Sequence, residues 1–270
     1  MSVAATQLSP TVADHTRRQA VQQTLAMSRR SISALRRQPA LVIPPLVFPL
    51  FFLALGTSSF SRASFPGGAS YLEVAFAGSI MQGVLFGSTA GATALATDIE
   101  NRFFDRLLAS PTSRLSILFG RLAGAAAFGA TQVTVFLVIL LPFGLRIEAG
   151  PLGALTMIVS GGLIALAVGA LMSSMALRTG SSEAVQGAFP LLFILLFFSS
   201  AFWPRQQMSG AYRTIADVNP ISHLVEGLRA LTIDGFSAGA VARAIGIPVL
   251  GGVAALVLAL AELRRRVAAS

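Results

Sequence analysis

Chemistry needs side chains that ionise, donate protons or bind metal, and this sequence is short of them. Its 270 residues hold 20 basic side chains, all Arg, with 11 Asp and Glu, two His and no Cys. Without lysine there is no Walker A phosphate loop, whose lysine reaches the nucleotide phosphates. A lysine Schiff base is excluded for the same reason. Without cysteine there is no disulfide, thiolate metal site or thiol nucleophile. His15 lies in a polar N-terminal tail and His223 stands alone far down the chain, so triads and His-based metal sites lack parts. No H-E-x-x-H motif occurs. The expectation is no catalytic residue, no metal and no cofactor on this chain. Two polar clusters remain as candidate sites, one at 98–114 and one beginning at Asn219.

The elements that position them are set by where charge is missing. The composition is 54% hydrophobic and 11% charged, with a mean hydropathy of +0.74. Soluble domains are nearer about 25% charged. Six runs contain no Asp, Glu or Arg: 38–61, 74–97, 122–145, 149–177, 184–204 and 244–261, with lengths of 24, 24, 24, 29, 21 and 18. A helix crossing the hydrocarbon core needs about 20 apolar residues. A charge at its centre costs at least about 2.5 kcal/mol. The expected fold is therefore all-α integral membrane, with six transmembrane helices near 39–60, 73–97, 117–145, 151–177, 184–203 and 244–262. A membrane aspartyl protease needs Asp within its spans, and these runs hold none. Ion-coupled carriers usually keep ionisable groups near the midplane, and these runs lack those too. Glu73, at the start of the second span, is a weak candidate for substrate contact and otherwise a carboxylate facing water.

Six spans put both termini on one side. With both inside, the cytoplasmic segments hold fourteen Arg and the outer ones six, as the positive-inside rule requires. The net charge of +9 is then membrane topology, and no nucleic-acid face is expected. Residues 1–16 read as a disordered tail. Residues 17–38 form an amphipathic interfacial helix, with Val21, Leu25, Ile32 and Leu35 on one face and most Arg on the other. The six-span domain covers 39–262, and 263–270 is a basic cytoplasmic tail.

Within the spans, Pro44, Pro45 and Pro49 predict a first helix that is kinked and packed by neighbours. Gly83, Gly87 and Gly91 form a doubled Gly-xxx-Gly, either for packing within the chain or as a homodimer seam. The 98–114 link is helical in pattern. Phe103, Phe104, Leu107 and Leu108 lie on one face, Arg102, Asp105 and Arg106 on the other, and Pro111 ends it. It either rests on the headgroups or docks into a partner protein. In the outer loop, Asn219 and Pro220 supply an N-cap and N1 proline, and Asp234-Gly235 a stop. The helix between them has about 14 residues, roughly 21 Å, and is too short to span. It should lie at the outer interface or dip into it, with Trp203 and Tyr212 in an aromatic belt.

The segment Asp98-Ile-Glu-Asn-Arg-Phe-Phe-Asp-Arg-Leu-Leu-Ala-Ser-Pro111, followed by Arg114 and Gly120-Arg121, resembles the signature of ABC-2 type transporter permeases. Asn219-Pro-Ile-Ser-His-Leu-Val-Glu-Gly-Leu-Arg-Ala230 resembles that family's second motif. The Phe103-Phe104 pair looks most like the daunorubicin/doxorubicin-resistance branch. The resemblance implies a permease subunit that pairs with a separate ABC ATPase, two copies of each, as a homodimer or beside a homologous permease. ATP and Mg would be held by that ATPase. It further implies that 98–114 is the cytoplasmic coupling helix, making contact through Glu100, Arg102, Phe103, Phe104, Asp105, Arg106, Leu107, Leu108, Pro111 and Arg114. The extracellular or re-entrant helix before the last span would be an outer gate, carrying Asn219, Pro220, His223, Leu224, Glu226 and Arg229. The implied cargo is amphipathic and drug-like or lipid-like, exported across a bacterial inner membrane. A polysaccharide or teichoic-acid-like glycan is the alternative cargo, and a non-transporting membrane scaffold the alternative from another class.

Overall fold

The computed structural model describes residues 39–63, 65, 68–104 and 114–269. The tail 1–16, the interfacial helix 17–38, and Asp105, Arg106, Leu107, Leu108 and Pro111 lie outside the described residues, as does the side chain of Arg114. All regular secondary structure among the described residues is helical. The order is α1 Pro39–Ser59, α2 Tyr71–Glu100, α3 Arg114–Leu140, α4 Gly150–Thr179, α5 Ser182–Phe197, a 3-10 turn Arg205–Gln207, α6 Gly210–Val218, α7 Pro220–Ile233, α8 Ala238–Val241, a π-helical turn Ala242–Gly246, and α9 Ile247–Ala269.

Five stretches are long and apolar enough to cross a membrane: Val42–Ser59, Tyr71–Glu100, Leu115–Leu140, Gly150–Thr179 and Ala238–Ala268. The run expected to be the fifth span is shorter. It is helical only over Ser182–Phe197, 16 residues, or roughly 24 Å at 1.5 Å per residue. The rest of that run leaves the helix at Phe198.

The helices alternate in direction. Glu100, Arg114, Thr179, Ser182 and the end of α9 gather at what is here called the lower end. The links after α1, α3 and α5, together with α6 and α7, make the upper end. α2 is the hub: 78% of its apolar window is buried, against 17% for α1. α1 runs through Pro44, Pro45 and Pro49 as one helix. It is not the packed element expected of it; Ile43, Val47, Phe51 and Leu55 are exposed, and only one side rests on α2.

Small residues set the closest approaches. A Cβ on Gly83 would fall 2.7 Å from the Pro45 carbonyl oxygen and 2.2 Å from the Gln132 amide. Gly83 therefore lets α1 and α3 both reach α2. At Gly87 a Cβ would strike the Phe128 ring, whereas Gly91 has nothing within 4 Å. The Gly-xxx-Gly pattern is thus used inside the chain at its first two positions and left open at the third. α3 and α4 cross where a Cβ on Gly129 would sit 2.2 Å from the Gly161 carbonyl.

α2 begins in a capping box. Ser70 N–H donates to Glu73 at 2.7 Å, and Glu73 N–H donates to the Ser70 hydroxyl at 3.3 Å. This reciprocal pair satisfies two otherwise orphaned donors. Glu73 is thus a helix cap, one of its carboxylate oxygens accepting from both the Ser70 N–H and the Ser70 hydroxyl. The π turn frees the Ala244 carbonyl, which accepts from the buried Ser160 hydroxyl at 2.6 Å. Insertions of this type relax the regular ladder and expose such groups.

Candidate functional site

The upper site is built around α7. Asn219 caps it, its side-chain oxygen accepting from Ile221 N–H at 3.0 Å. The Asn219 amide also donates to the carbonyls of Leu195 at 2.7 Å and Phe198 at 3.1 Å, the last turn of α5. One side chain therefore starts α7 and satisfies the orphaned end of α5. Ser200 adds two bonds to Ser222, its N–H donating to the Ser222 hydroxyl at 3.1 Å and its hydroxyl to the Ser222 carbonyl at 3.2 Å. His223 stands 2.9 Å from the Asp217 carbonyl, which belongs to α6. Pro220 is exposed, and Leu224 is buried in the main core. Asp234 and Gly235 end the helix, both N–H groups returning to Ala230, with Gly235 at φ +96°.

Arg229 carries the most consequential contacts. It is 8% exposed. Its Nε donates to the Val74 carbonyl at 2.8 Å, and its Nη2 to the carbonyls of Ser200 at 2.5 Å and Ala201 at 3.2 Å. It ties α7 to the first turn of α2 and to the bend after α5. Glu226 is itself gripped by Arg205 through both carboxylate oxygens, and Arg205 reaches Asp217 at 3.2 Å. The hydrogen bond that Arg205 donates to Glu226 is the main reason its pKa is raised.

α7 does not lie on a surface. Nine of its residues are buried, and it is sunk into the upper part of the bundle. Of the two expected belt aromatics, Trp203 packs with Phe60, Phe65 and Tyr71, at 4.9 to 5.9 Å between ring centres. Tyr212 is exposed and donates to the Phe197 carbonyl.

At the lower end, the described part of the coupling segment is Glu100 to Phe104. Arg102 sits at φ +55°. A non-glycine residue there is uncommon and strained, and the turn redirects the chain as it leaves α2. Phe104 is 2% exposed and belongs to a core cluster with Ile99, Ile117, Leu118 and Leu122. Its ring packs within the chain, and Phe103 is half-buried. Glu100 is also engaged within the chain. Its carboxylate accepts from Ser182 N–H at 2.6 Å and from the Ser182 hydroxyl at 3.1 Å. A carboxylate at a helix N-terminus satisfies free donors and complements the helix dipole. Asp98 pairs with Arg121 across α2 and α3.

Between these ends runs a groove of about 650 Å³ on one side of α2 and α5. Phe86, Thr89, Thr93, Asp98, Gln186 and Phe189 line it. From it a row of aromatic rings climbs toward the upper end. Phe86 meets Phe189 at 4.8 Å, Phe189 meets Phe193 at 5.3 Å, and Phe193 meets Phe197 at 5.1 Å. Phe48 of α1 joins at Phe86, 5.0 Å away. Reading the sequence for charge alone passed over this row. The spacing of four between 189, 193 and 197 was the available signal. Two buried amides, Gln82 and Gln132, were passed over as well; Gln132 donates to the Ile80 carbonyl at 3.1 Å.

The model of the family described as ABC-2 type transporter matches residues 22–233. That range covers both polar clusters and ends with α7. Among curated proteins, the daunorubicin resistance ABC transporter permease protein DrrB1 of Streptomyces coeruleorubidus is 30% identical over 215 residues. That alignment covers 78% of this chain and 75% of that protein. The putative transport permease ycf38 of Cyanophora paradoxa is 28% identical, covering 78% of this chain and 74% of its own length. The probable doxorubicin resistance ABC transporter permease protein DrrC of Mycobacterium tuberculosis is 24% identical, covering 80% and 78%. With a family match across most of the chain and relatives aligned over three quarters of their length, the chain belongs to the ABC-2 type transporter family of membrane permeases.

Proposed function

We propose that this chain is the membrane-spanning subunit of an ABC exporter that moves amphipathic, drug-like or lipid-like molecules out of the cell. The ATP and Mg would be bound by a separate ATPase subunit, seated at the lower end against the 98–114 segment. Two permeases and two ATPases would form the complex, with the permease paired with itself or with a homologue. The upper end would face outward from a bacterial inner membrane and both termini inward. In this arrangement α5 and the sunken α6–α7 segment together make the remaining crossing, which restores the even count of six.

The observation that carries the reading is the α2–α5 groove. An amphipathic molecule needs an apolar wall with a few placed polar groups, and this groove offers phenyl rings with Thr and Gln side chains. Relatives bearing daunorubicin- and doxorubicin-resistance names support the same cargo class. The hydrogen bonds support a route for the motion. Glu100 links the coupling segment to the start of α5, while Asn219 and Arg229 hold its far end and the bend beyond it. Between those anchors α5 fully buries only Val185 and Leu196 and packs chiefly on α2. ATP binding would then favour one of two arrangements of α5 by binding it more tightly.

The test is reconstitution in vesicles with the co-purifying ATPase. ATP-dependent movement of a fluorescent anthracycline that requires this chain is the expected result. Purification that recovers no ATPase, or an ATPase whose activity this chain never stimulates, would sink the proposal. A deletion strain with altered surface glycan and unchanged drug susceptibility would reassign the cargo to a polysaccharide. ATP-dependent transport of any cargo would eliminate the scaffold.

A further inference from the structure

Beside the Arg229 anchor, at the upper end, lies a cavity of about 180 Å³ whose polar wall is Gln206, Glu226, Arg229, Asp234 and Arg243. It lies outside the α2–α5 groove and shares no residue with it. Buried charges are ordinarily paired with an opposite charge, and Arg229 is 8% exposed with only carbonyl acceptors. The nearest carboxylate on its own helix, Glu226, has both oxygens taken by Arg205. Those three carbonyl bonds use Nε and Nη2, so among the described residues Nη1 has no recorded acceptor. Arg243 spends Nε on the Gly239 carbonyl at 3.2 Å and keeps its two Nη groups. Asp234 caps α7 with its backbone, while its exposed carboxylate has no recorded donor among the described residues.

The cavity therefore offers two guanidinium groups with unused N–H donors and one carboxylate with unused acceptors. Guanidinium forks match phosphate oxygens. A free carboxylate beside them selects a cation on the same ligand. The nature of that cation follows from the rest of the wall. Among the described residues no aromatic ring lines the cavity, and a quaternary ammonium is held by aromatic faces. A primary ammonium instead donates hydrogen bonds to a carboxylate.

We propose that this cavity binds a phosphate ester carrying a primary ammonium, the chemistry of phosphoethanolamine, with the phosphate on Arg229 and Arg243 and the ammonium on Asp234. The source is either the headgroup of an aminophospholipid in the adjoining leaflet or the soluble phospho-amine. The occupant would brace α7 against the start of the last long helix.

The experiment uses the full-length chain in detergent, without an ATPase, so its outcome is independent of the transport reading. Calorimetric titration with O-phosphoethanolamine, phosphocholine, inorganic phosphate and ethanolamine gives the specificity. Phosphoethanolamine should bind at least about tenfold tighter than the other three, since phosphate and phosphocholine lack the contact to Asp234 and ethanolamine lacks those to both Arg. Asp234→Asn and Arg243→Gln alter exposed side chains and should leave the melting temperature intact. Each should weaken binding by about tenfold. A second arm places the chain in nanodiscs of phosphatidylethanolamine or phosphatidylcholine and counts retained lipid by native mass spectrometry. Retention of phosphatidylethanolamine that is lost in Asp234→Asn, with no soluble binding, assigns the lipid headgroup as the source; binding in both arms leaves the soluble group competent as well. Equal affinity for phosphate and phosphoethanolamine, unchanged affinity in Asp234→Asn, or no binding in either arm overturns the proposal.

Discussion

Replacing Arg229 with Met removes the fork while keeping a long unbranched side chain. Three bonds are lost, to the carbonyls of Val74, Ser200 and Ala201 at 2.8, 2.5 and 3.2 Å. Charge-assisted bonds contribute about 1.5–3 kcal/mol each, so the gross loss is about 4.5–9 kcal/mol. Removing the buried charge also removes its desolvation cost, several kcal/mol. The net loss is then about 2–4 kcal/mol, on the order of 4–16 °C in melting temperature for a chain of this size. Thermal unfolding of the purified permease in one detergent, followed by intrinsic fluorescence, is the assay. Trp203 is the single tryptophan and lies two residues beyond Ala201, so its emission should report release of the bend. Arg213→Met is the control, because Arg213 is exposed and such changes fall within about 0.5 kcal/mol. If Arg229→Met melts within a degree or two of the parent, α7 is not anchored through this side chain and the reasoning fails.

The two phenylalanines of the coupling segment should separate. Phe104→Ala should cost about 3–5 kcal/mol as a core truncation, seen as a lower melting temperature. Phe103→Asp should leave melting largely intact and reduce recovery of the ATPase in a pull-down; unchanged recovery would count against seating there. Gly129→Ala forces a Cβ to 2.2 Å from the Gly161 carbonyl and should destabilise by about 1–3 kcal/mol. Gly91→Ala, with open space around it, should be neutral or slightly stabilising, as Ala is about 1 kcal/mol better than Gly in a helix. Gly91→Leu would lower the dimer fraction in size-exclusion light scattering only if that face is the seam. Ser70→Ala should cost about 1 kcal/mol through loss of the cap, again read by thermal unfolding.

The sequence determined the apolar helices, because leaving a charge in a membrane is costly and the gaps between charges mark where that cost was avoided. Local rules also placed the Asn219 cap and the stop at Asp234-Gly235, which depend only on neighbouring backbone donors and acceptors. Recognition of the family followed from the two polar clusters. What needed the tertiary structure was every contact between positions distant in the chain. The sequence marked Glu100 and Arg229 as polar residues near helix ends, yet their partners lie 82 and up to 155 positions away. Phe103 and Phe104 are adjacent and identical in type, so no pattern could say which one the core would take. Nor could the spacing of Gly83, Gly87 and Gly91 tell which of them meets a neighbour. The short α5 is the clearest case. Its run is apolar for 21 residues, but the helix stops at Phe197 because Asn219 and Arg229 capture the carbonyls beyond it. Hydrophobicity sets how long a helix is permitted to be, and polar groups brought in from elsewhere in the fold decide where it ends.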